Sequence, residues 1–421
     1  MYRIEWIERL KLGGAPRVPG AAPLRVSPVV ISLGFTSLFT DISSEMVNSL
    51  LPAWLVLHLH MSPMQFGVID GLYNGFAIAL LSLAAGYLAD RSARQKEVAL
   101  AGYSLSGLCK LLLLGVGATW GWILLAVGLD RAGKGIRAAP RDALISLNTP
   151  AAAYAMAFSV HRAMDACGSL LGPITAFALL AMLPGAYDAV WVTSFFFAVI
   201  GVAVLWLFVP GAKAMVAAAS GTETAATRPA WSPWRSRRFL ALTACGALLA
   251  GTTISDGFLY LLLQQKSATP AGFFPLFYVI TAAAYMLLSI PAGRLADRTS
   301  RSRVFLGGYA VLVVLYILLL FVDRVSTGEL IGCLILFGLY YAGTEGILMA
   351  LVSVVIPPAH RTSGIAIVGT AIGVTKLLSS VAFGGLWQWI GIRGAVITFV
   401  IFLGLALAVS LALMRATDHD S

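Results

Sequence analysis

The chain has 421 residues, of which 59% are hydrophobic and 11% are charged, and its formal net charge is +10 at pH 7. Soluble domains are about half apolar and about a quarter charged, so this composition leaves too little polar surface for a soluble fold. The Lys and Arg residues stand at the ends of apolar segments, which is typical of an integral membrane protein and argues against a nucleic-acid-binding protein.

Long apolar segments follow one another along the chain, each with about the 20 residues that a membrane-spanning helix needs. Helices satisfy every backbone polar group within the lipid, so the segments predict an all-α integral membrane protein with about twelve transmembrane helices. The predicted spans are 27–59, 66–89, 97–117, 121–147, 154–181, 188–209, 239–264, 271–293, 304–322, 328–354, 363–387 and 394–414.

The spans fall into two groups of six, separated by a polar segment rich in Ala, Gly and Thr. We therefore predict an N-terminal six-helix bundle over 27–209 and a C-terminal six-helix bundle over 239–414. The other segments are then a tail over 1–26, a linker over 210–238 and a tail over 415–421.

The positions of Lys and Arg predict the orientation, because cytoplasmic loops carry an excess of both. The basic residues at every second connection are Arg3, Arg9, Lys11, Arg17, Arg25, Arg91, Arg94, Lys96, Lys134, Arg137, Arg141, Arg228, Arg235, Arg237, Arg238, Arg298, Arg301 and Arg303. The alternate loops hold at most Lys266, Arg324 and Arg393. We therefore predict that both termini and the linker are cytoplasmic, in a multi-pass protein of a bacterial-type cytoplasmic (inner) membrane.

One short charged segment occurs twice. Its first copy, from Gly86 to Lys96, has the sequence GYLADRSARQK, and GRLADRTSRSR begins 207 positions later at Gly293. Each copy follows the second span of its half. A duplicated six-helix unit of this kind is typical of a secondary transporter whose substrate site lies between the two halves.

At these residues the chain resembles the major facilitator superfamily. The repeated segment matches that family's G-x-L-a-D-r-x-G-r-[RK] pattern, with Ala93 in place of the usual Gly. The resemblance covers 27–414 and implies two pseudo-symmetric six-helix bundles. It also implies a conformational latch on the cytoplasmic side. The latch residues are Gly86, Asp90, Arg91, Arg94, Gly293, Asp297, Arg298 and Arg301.

Two further motifs support the resemblance. The sequence from Arg131 to Gly135 is similar to the family's R-x-x-q-G pattern, in which the Arg position is linked to proton coupling. In the fifth span, Gly168, Gly172 and Pro173 match the G-x-x-x-G-P core of the pattern found in proton-coupled drug and small-molecule antiporters. The trailing pair of glycines in that pattern is absent from this chain.

Charged residues inside apolar spans are functional candidates, because each costs about 2.5–3.5 kcal/mol to insert. Asp41 and Glu45 lie four residues apart, so both carboxylates occupy one face of the first helix. Two close carboxylates repel each other when both are charged, so one of them is expected to take up a proton near neutral pH. The alternative is a structural pair satisfied by basic residues of the fourth or fifth helix.

The fourth and fifth spans carry further candidates for proton coupling. His161 and Asp165 are four residues apart and Arg162 and Asp165 are three apart, so Asp165 can reach either partner. Histidine titrates near neutral pH, which suits a proton carrier. For Arg131 we expect a partner in Asp41 or Glu45. Lys134 and Arg137 are expected near the cytoplasmic end of the fourth helix, where long basic side chains reach water.

The second half has fewer charges within its spans. They are Asp256, Glu345 and Lys376, and Lys110 in the third span is equally isolated. Glu345 and Lys376 are expected either to pair or to contact an ionic substrate. Aromatic residues such as Tyr73 are candidates to line a cavity, although packing is their commoner role.

These observations predict a secondary active transporter that moves a small organic solute by alternating access, with proton-coupled efflux as the favoured mode. The first alternative is uptake of an organic anion or metal chelate by proton symport, with Arg131, Arg162 or Lys376 as anion partners. A remote alternative is a membrane-embedded lipid transferase in which Asp41 and Glu45 bind a metal.

Motifs for other energy sources and for catalysis are absent. The sequence has no G-x-x-x-x-G-K-[ST] phosphate-binding loop, no H-E-x-x-H and no G-x-S-x-G. We therefore predict no enzymatic activity, no cofactor and no metal, with the proton gradient as the energy source. The expected partners are a small-molecule substrate and the lipid bilayer, without nucleic acid, and the protein is expected to be a monomer.

Overall fold

The computed structural model describes residues 27–74, 88–89, 94–115, 117, 119–150, 153–210, 236–356 and 361–419. All regular structure in these residues is helical, which confirms the predicted all-α class. The predicted latch residues Gly86, Asp90 and Arg91 lie outside the described residues, as do the tail over 1–26 and most of the predicted linker.

The first half begins with a long helix whose N-terminus is marked by a serine cap followed by a proline. The Ser27 side chain accepts a hydrogen bond from the Val29 amide at 3.3 Å, and Pro28 occupies the first helical position, where its missing N–H carries no penalty. The helices are α1 (Pro28–Pro52, continued by the π-helical segment Ala53–His58), α2 (Pro63–Asn74), α3 (Gln95–Gly115), α4 (Trp120–Leu147), α5 (Tyr154–Met182) and α6 (Tyr187–Phe208).

The second half follows the same local rules. Ser326 and Glu329 form a reciprocal capping box at the start of α11, in which each side chain accepts a hydrogen bond from the other residue's backbone amide. The helices are α7 (Arg237–Gly251), α8 (Asp256–Ser267), α9 (Phe274–Arg298), α10 (Arg301–Phe321), α11 (Thr327–Val355) and α12 (Arg361–His419).

Two predicted boundaries differ from the structure. The span predicted over 239–264 is interrupted at residues 252–255, between α7 and α8. The spans predicted over 363–387 and 394–414 are joined in α12, which is kinked at Gly391, where φ is 76° and only glycine is free of strain. The helices α1 to α12 of the described residues therefore do not correspond one to one to the twelve predicted spans, and the predicted count of twelve transmembrane helices is not confirmed.

The surface is that of a membrane protein. Eight helical segments among the described residues are long and apolar enough to cross a membrane. Large apolar side chains lie on the outside, such as Trp389 at 87% and Phe321 at 80% exposure, where lipid suits them and water does not. Helices α1 and α4, which carry most of the predicted coupling residues, are not among the eight segments.

The two predicted halves contact each other through α2 and α12. Cβ atoms added at Gly67 and Gly384 would lie only 2.6 Å from the Ser380 carbonyl oxygen and 2.4 Å from the Pro63 carbonyl oxygen. Phe66 of α2 packs on Phe258 of α8, with ring centroids 4.7 Å apart. This contact lies at the end of the molecule opposite to the predicted cytoplasmic loops, so the halves are closed against each other at the predicted outer end.

Candidate functional site

A buried ion cluster joins α3 to α4. Asp130 forms ion pairs with Lys110 and Arg131, and it also accepts a hydrogen bond from the Ser106 hydroxyl at 2.5 Å. Lys110 and Arg131 are each only 2% exposed. The isolated Lys110 of the sequence therefore has a carboxylate partner, and this cluster is sealed from water.

Arg131 does not pair with Asp41 or Glu45, so that part of the prediction is wrong. Its guanidinium lies on the Asp130 carboxylate and stacks on the Tyr73 ring, 3.6 Å from the ring centroid. Asp130, which precedes Arg131 in the chain, therefore neutralises the guanidinium, whereas we expected a carboxylate of a neighbouring helix to do so.

Asp41 instead meets Arg137 across the α1–α4 contact, with 3.6 Å between Asp41 Oδ1 and an Arg137 guanidinium nitrogen. Arg137 is 3% exposed and its guanidinium lies over the Tyr103 ring at 4.5 Å. The expectation that Arg137 reaches water is therefore wrong, because Tyr103 and Asp41 hold it inside the bundle.

Glu45 and Lys134 are held more loosely than the Asp130 cluster. Glu45 accepts a hydrogen bond from the Asn48 amide at 2.7 Å, and both residues are half-buried. Lys134 is also half-buried and interacts electrostatically with Asp41 and Glu45, but forms no ion pair with any residue in the described part of the chain. A group of two carboxylates and one lysine thus lies between α1 and α4.

His161 and Asp165 lie together as predicted from their spacing, with 3.4 Å between His161 Nδ1 and Asp165 Oδ2. The other ring nitrogen of His161 lies 3.0 Å from the Ser37 hydroxyl, which in turn lies 3.3 Å from the Tyr103 hydroxyl. Because Tyr103 also stacks on Arg137, this chain of contacts connects the His161 group of α5 to the Asp41 group of α1 and α4.

Arg162 does not take part in this network. It lies on the exposed side of α5 and forms no ion pair with any described residue. Arg141 of α4 supplies the guanidinium near Asp165 instead, at 3.9 Å, while also pairing with Asp142 at 2.9 Å. Asp165 therefore has His161 and Arg141, and not Arg162, as its neighbours.

The antiporter-like motif of α5 packs directly on the α1 turns that carry the two carboxylates. A Cβ atom added at Gly168 would lie 3.0 Å from Asp41 Cβ, and one at Gly172 would lie 2.8 Å from Glu45 Cβ. Glycine at these two positions lets the backbones approach closely. Pro173 follows within the same helix.

A second group of charged residues lies between the halves. Asp70 of α2 accepts a hydrogen bond from the Ser380 hydroxyl of α12 at 2.7 Å, and Asp256 at the start of α8 accepts one from the Tyr341 hydroxyl at 2.5 Å. Asp70 and Asp256 together line two small cavities, and Lys376 lines one of them. Lys376 faces this group, so its predicted pairing with Glu345 is wrong; Glu345 lies on the exposed side of α11.

Sequence reasoning missed Asp70. The residue is 6% exposed and lies in the predicted second span, so the rule that selected Asp256 applied equally to it. Its partner Ser380 is 310 residues away in the chain, so only the fold shows that the two are neighbours.

The family follows from comparison with known proteins. A model of the Major Facilitator Superfamily matches residues 33–282 and 257–421. The chain belongs to this superfamily. It is similar to an uncharacterized MFS-type transporter of Methanocaldococcus jannaschii, at 30% identity over 86% of this chain and 89% of the relative. It is also similar to an uncharacterized protein of Mycobacterium tuberculosis strain H37Rv, at 28% identity over 92% of each chain.

Solved structures agree on the fold. The nucleoside transporter NupG matches with a TM-score of 0.74 and 14% identity, over 92% of this chain and 98% of NupG. A POT family transporter in complex with 5-aminolevulinic acid matches with a TM-score of 0.75 and 13% identity, over 92% of this chain and 96% of that protein. The chain is thus a multi-pass MFS protein of the membrane, and its family is one of secondary transporters.

In this MFS transporter the described latch residues Arg94, Asp297 and Arg298 are exposed, and Gly293 and Arg301 are half-buried. Asp297 at the end of α9 pairs with Arg301 at the start of α10, at 3.0 Å. Exposed ion pairs of this kind contribute at most about 1 kcal/mol to the free energy of unfolding, so this pair adds little to the stability of the fold.

The latch role of Asp90 gives a prediction. Asp90→Asn should change the balance of inward-open and outward-open states, because it removes the charge at the centre of the first copy. Substrate affinity within either state should stay nearly unchanged, since the buried groups of α1, α4 and α5 are untouched. Cysteine accessibility measured from each side of the membrane checks the first expectation. Altered substrate selectivity in this variant would contradict the second.

Proposed function

We propose that this MFS transporter exports a small organic solute in exchange for protons. The observation that carries the proposal is the packing of the Gly168–Pro173 motif on the α1 turns of Asp41 and Glu45. The α5 motif that is similar to the antiporter pattern contacts the two carboxylates that we predict to carry protons, so both sequence features belong to one site.

The surroundings of the two carboxylates suit a change in protonation. The Asp41 side chain is 15% exposed and its ion pair with Arg137 is loose, at 3.6 Å. Glu45 is held by the neutral amide of Asn48. Protonation of Glu45 breaks no ion pair in the described part of the chain, and protonation of Asp41 breaks one loose contact with Arg137, whereas protonation of Asp130 would leave both Lys110 and Arg131 unpaired.

The His161 chain supports the same proposal. Asp165 and Ser37 contact opposite ring nitrogens of His161, so the imidazole is held in one orientation. Through Ser37, Tyr103 and Arg137 the ring is linked to Asp41 by successive contacts. A proton bound at the His161 group would change the field at Asp41 and couple the two groups.

Uptake of an organic anion has less support. Arg131 is paired with Asp130 and stacked on Tyr73, so one of the three expected anion partners is already occupied. The lipid transferase alternative is disfavoured because the family and fold are those of transporters, which are generally not enzymes.

The experiment begins with a ligand identified by thermal-shift screening of the purified protein, since binding to the folded state raises its apparent stability. Transport of that ligand is then measured in proteoliposomes with an imposed pH gradient. We expect Asp41→Asn and Glu45→Gln each to reduce gradient-driven transport at least about tenfold, a coupling free energy of about 1.4 kcal/mol. Ligand binding should persist, because only the protonation step is removed.

Asp188→Asn is the matched control, since Asp188 lies exposed in the first turn of α6, away from the buried network. Full gradient-driven transport in both α1 variants would refute the coupling assignment. Vesicles of known orientation, measured with the gradient in each direction, test export: accumulation of the ligand on the acidic side supports exchange, and accumulation on the alkaline side supports symport.

A further inference from the structure

Glu345 is a charged residue of a predicted span to which the proposed function gives no role. We propose that Glu345 binds the ammonium group of the exported solute, which is therefore a small organic amine. The body of that solute lies in a groove between α9 and α11. The inference rests on the proposed function for the export of the solute, but amine binding itself is measured without a pH gradient.

Glu345 faces the space between the two halves. Tyr341 and Glu345 are four residues apart on α11, so their side chains lie on one face of that helix. The Tyr341 hydroxyl donates a hydrogen bond to Asp256, which lines a cavity together with Asn48 of the N-terminal half. The face of α11 that carries Glu345 is therefore directed toward the N-terminal half.

The depth of Glu345 in the membrane argues against contact with lipid. Glu345 lies ten residues before the end of α11 at Val355 (355 minus 345), which is about 15 Å along the helix axis. Charged side chains at such depth face a partner or a water-filled cavity, because lipid does not solvate them. Since Glu345 is exposed, we place water in front of it, one helical turn on the predicted cytoplasmic side of Tyr341.

The Glu345 carboxylate has no basic partner. It forms no ion pair with any residue in the part of the chain that the structure describes, and its neighbour is the Tyr285 side chain of α9. It also belongs to no group of three or more His, Cys, Asp or Glu side chains among the described residues, so it lacks the further ligands that a divalent metal ion needs. A single carboxylate that faces water is complementary to a ligand with one positive charge.

Two tyrosine rings beside the carboxylate suit an ammonium group. The rings of Tyr285 and Tyr341 have centroids 6.4 Å apart. The Tyr341 ring also packs on Phe337, at 5.1 Å between centroids, and Phe337 is fully buried, so the Tyr341 ring is held in place. An ammonium group at this position gains an ion pair with Glu345 and cation–π contacts with the rings.

A groove beside these residues has room for the body of a solute. Its volume is about 260 Å³, below the range of about 300–1,000 Å³ for drug-sized ligands, so it selects a small molecule. Cβ atoms added at Gly293 and Gly346 would meet nothing within 4 Å, so these glycines leave the space open. The groove reaches the Asp297–Arg301 pair at the predicted cytoplasmic end. Its lining includes Tyr285, Ser289 and Gly293 of α9 and Ala342, Gly346 and Ala350 of α11.

The test measures thermal unfolding of the full-length protein in detergent at about pH 7, where primary amines are protonated. Propylamine, 2-phenylethylamine and tryptamine, each at about 5 mM, are compared with the alcohols in which a hydroxyl replaces the amino group. We expect at least one amine to raise the apparent Tm by roughly 2 °C relative to its alcohol. Equal Tm values for every amine and its alcohol would overturn the proposal.

Glu345→Gln should abolish the difference between amine and alcohol, since it removes the charge and keeps the shape of the side chain. Glu97→Gln is the matched control, because Glu97 is an exposed glutamate at the start of α3 in the other half, and it should retain the difference. An amine effect that survives Glu345→Gln would also overturn the proposal. Loss of the amine effect in Glu345→Gln leaves the proton-coupling test of Asp41 and Glu45 unaffected, so the two proposals can fail separately.

Gly346→Leu tests the groove and keeps the proposal open to refutation if Glu345→Gln does not fold. The larger side chain should fill the groove and reduce the effect of tryptamine, whose ring system needs that space. Gly332→Leu makes the same change on α11 at another glycine whose added Cβ atom meets nothing within 4 Å, and it should leave the effect unchanged. An undiminished amine effect in Gly346→Leu would place the solute outside the groove and contradict the proposed site.

Discussion

Asp130→Asn is expected to destabilise the folded transporter by roughly 3–5 kcal/mol, since it removes the carboxylate from a buried ion cluster. Lys110 and Arg131 would then lie next to each other inside the bundle with no compensating negative charge. Breaking one partner of a buried ion group is costly because the remaining charge stays out of water. The change should appear as a large fall in Tm and in the yield of monodisperse protein.

Lys110→Met is the informative comparison, because it removes a charge from the same cluster at the same depth. The remaining Asp130–Arg131 pair is balanced, and Arg131 keeps the Tyr73 ring, so we expect a loss of stability well below that of Asp130→Asn. Equal losses in the two variants would mean that packing around α3 and α4, and not charge balance, determines the stability of the cluster.

The fold could be predicted from two features of the sequence, the long apolar segments and the repeated charged segment. Lipid permits little besides helices, so composition and length were enough to predict the all-α class, and the motifs were enough to indicate the family. The interruption at residues 252–255 was not predictable from hydropathy, because its sequence, TTIS, is neutral enough to continue an apolar run. What opens the helix there is tertiary: the Tyr316 hydroxyl accepts a hydrogen bond from the Ile254 amide at 2.9 Å.

The partners of the buried charges were harder to predict than their presence. Spacing along one helix placed His161 beside Asp165, since the rule that residues four apart share a face needs no tertiary information. The pairs between helices depend on how the helices are rotated, and there the expected partners of Arg131 and the expected pair of Lys376 with Glu345 were wrong. Arg131 pairs with Asp130, the residue that precedes it in the chain. The rule that residues three or four apart share a helix face does not predict such a pair, because adjacent residues on a helix point in different directions.

Gly384→Ala is expected to prevent the halves from closing at the predicted outer end and to reduce transport at least about tenfold. The new Cβ atom would lie 2.4 Å from the Pro63 carbonyl oxygen and 3.0 Å from its carbonyl carbon, both backbone atoms that no side-chain rotation can move away. Alternating access requires each end to close in turn, so a wedge between α2 and α12 should hold the protein open at that end. Spin labels at Ser62 and Trp389 would report a longer and broader distance distribution.

Gly385→Ala is the matched control, because it makes the same chemical change one residue further along α12, where a Cβ atom meets nothing within 4 Å. It should leave both the distance distribution and transport near wild type. Gly67→Ala should reproduce the effect of Gly384→Ala from the other side of the contact, since its Cβ atom would lie 2.6 Å from the Ser380 carbonyl oxygen. If transport survives in both glycine variants, the α2–α12 contact is not a gate, and the charged groups between the halves must control access without it.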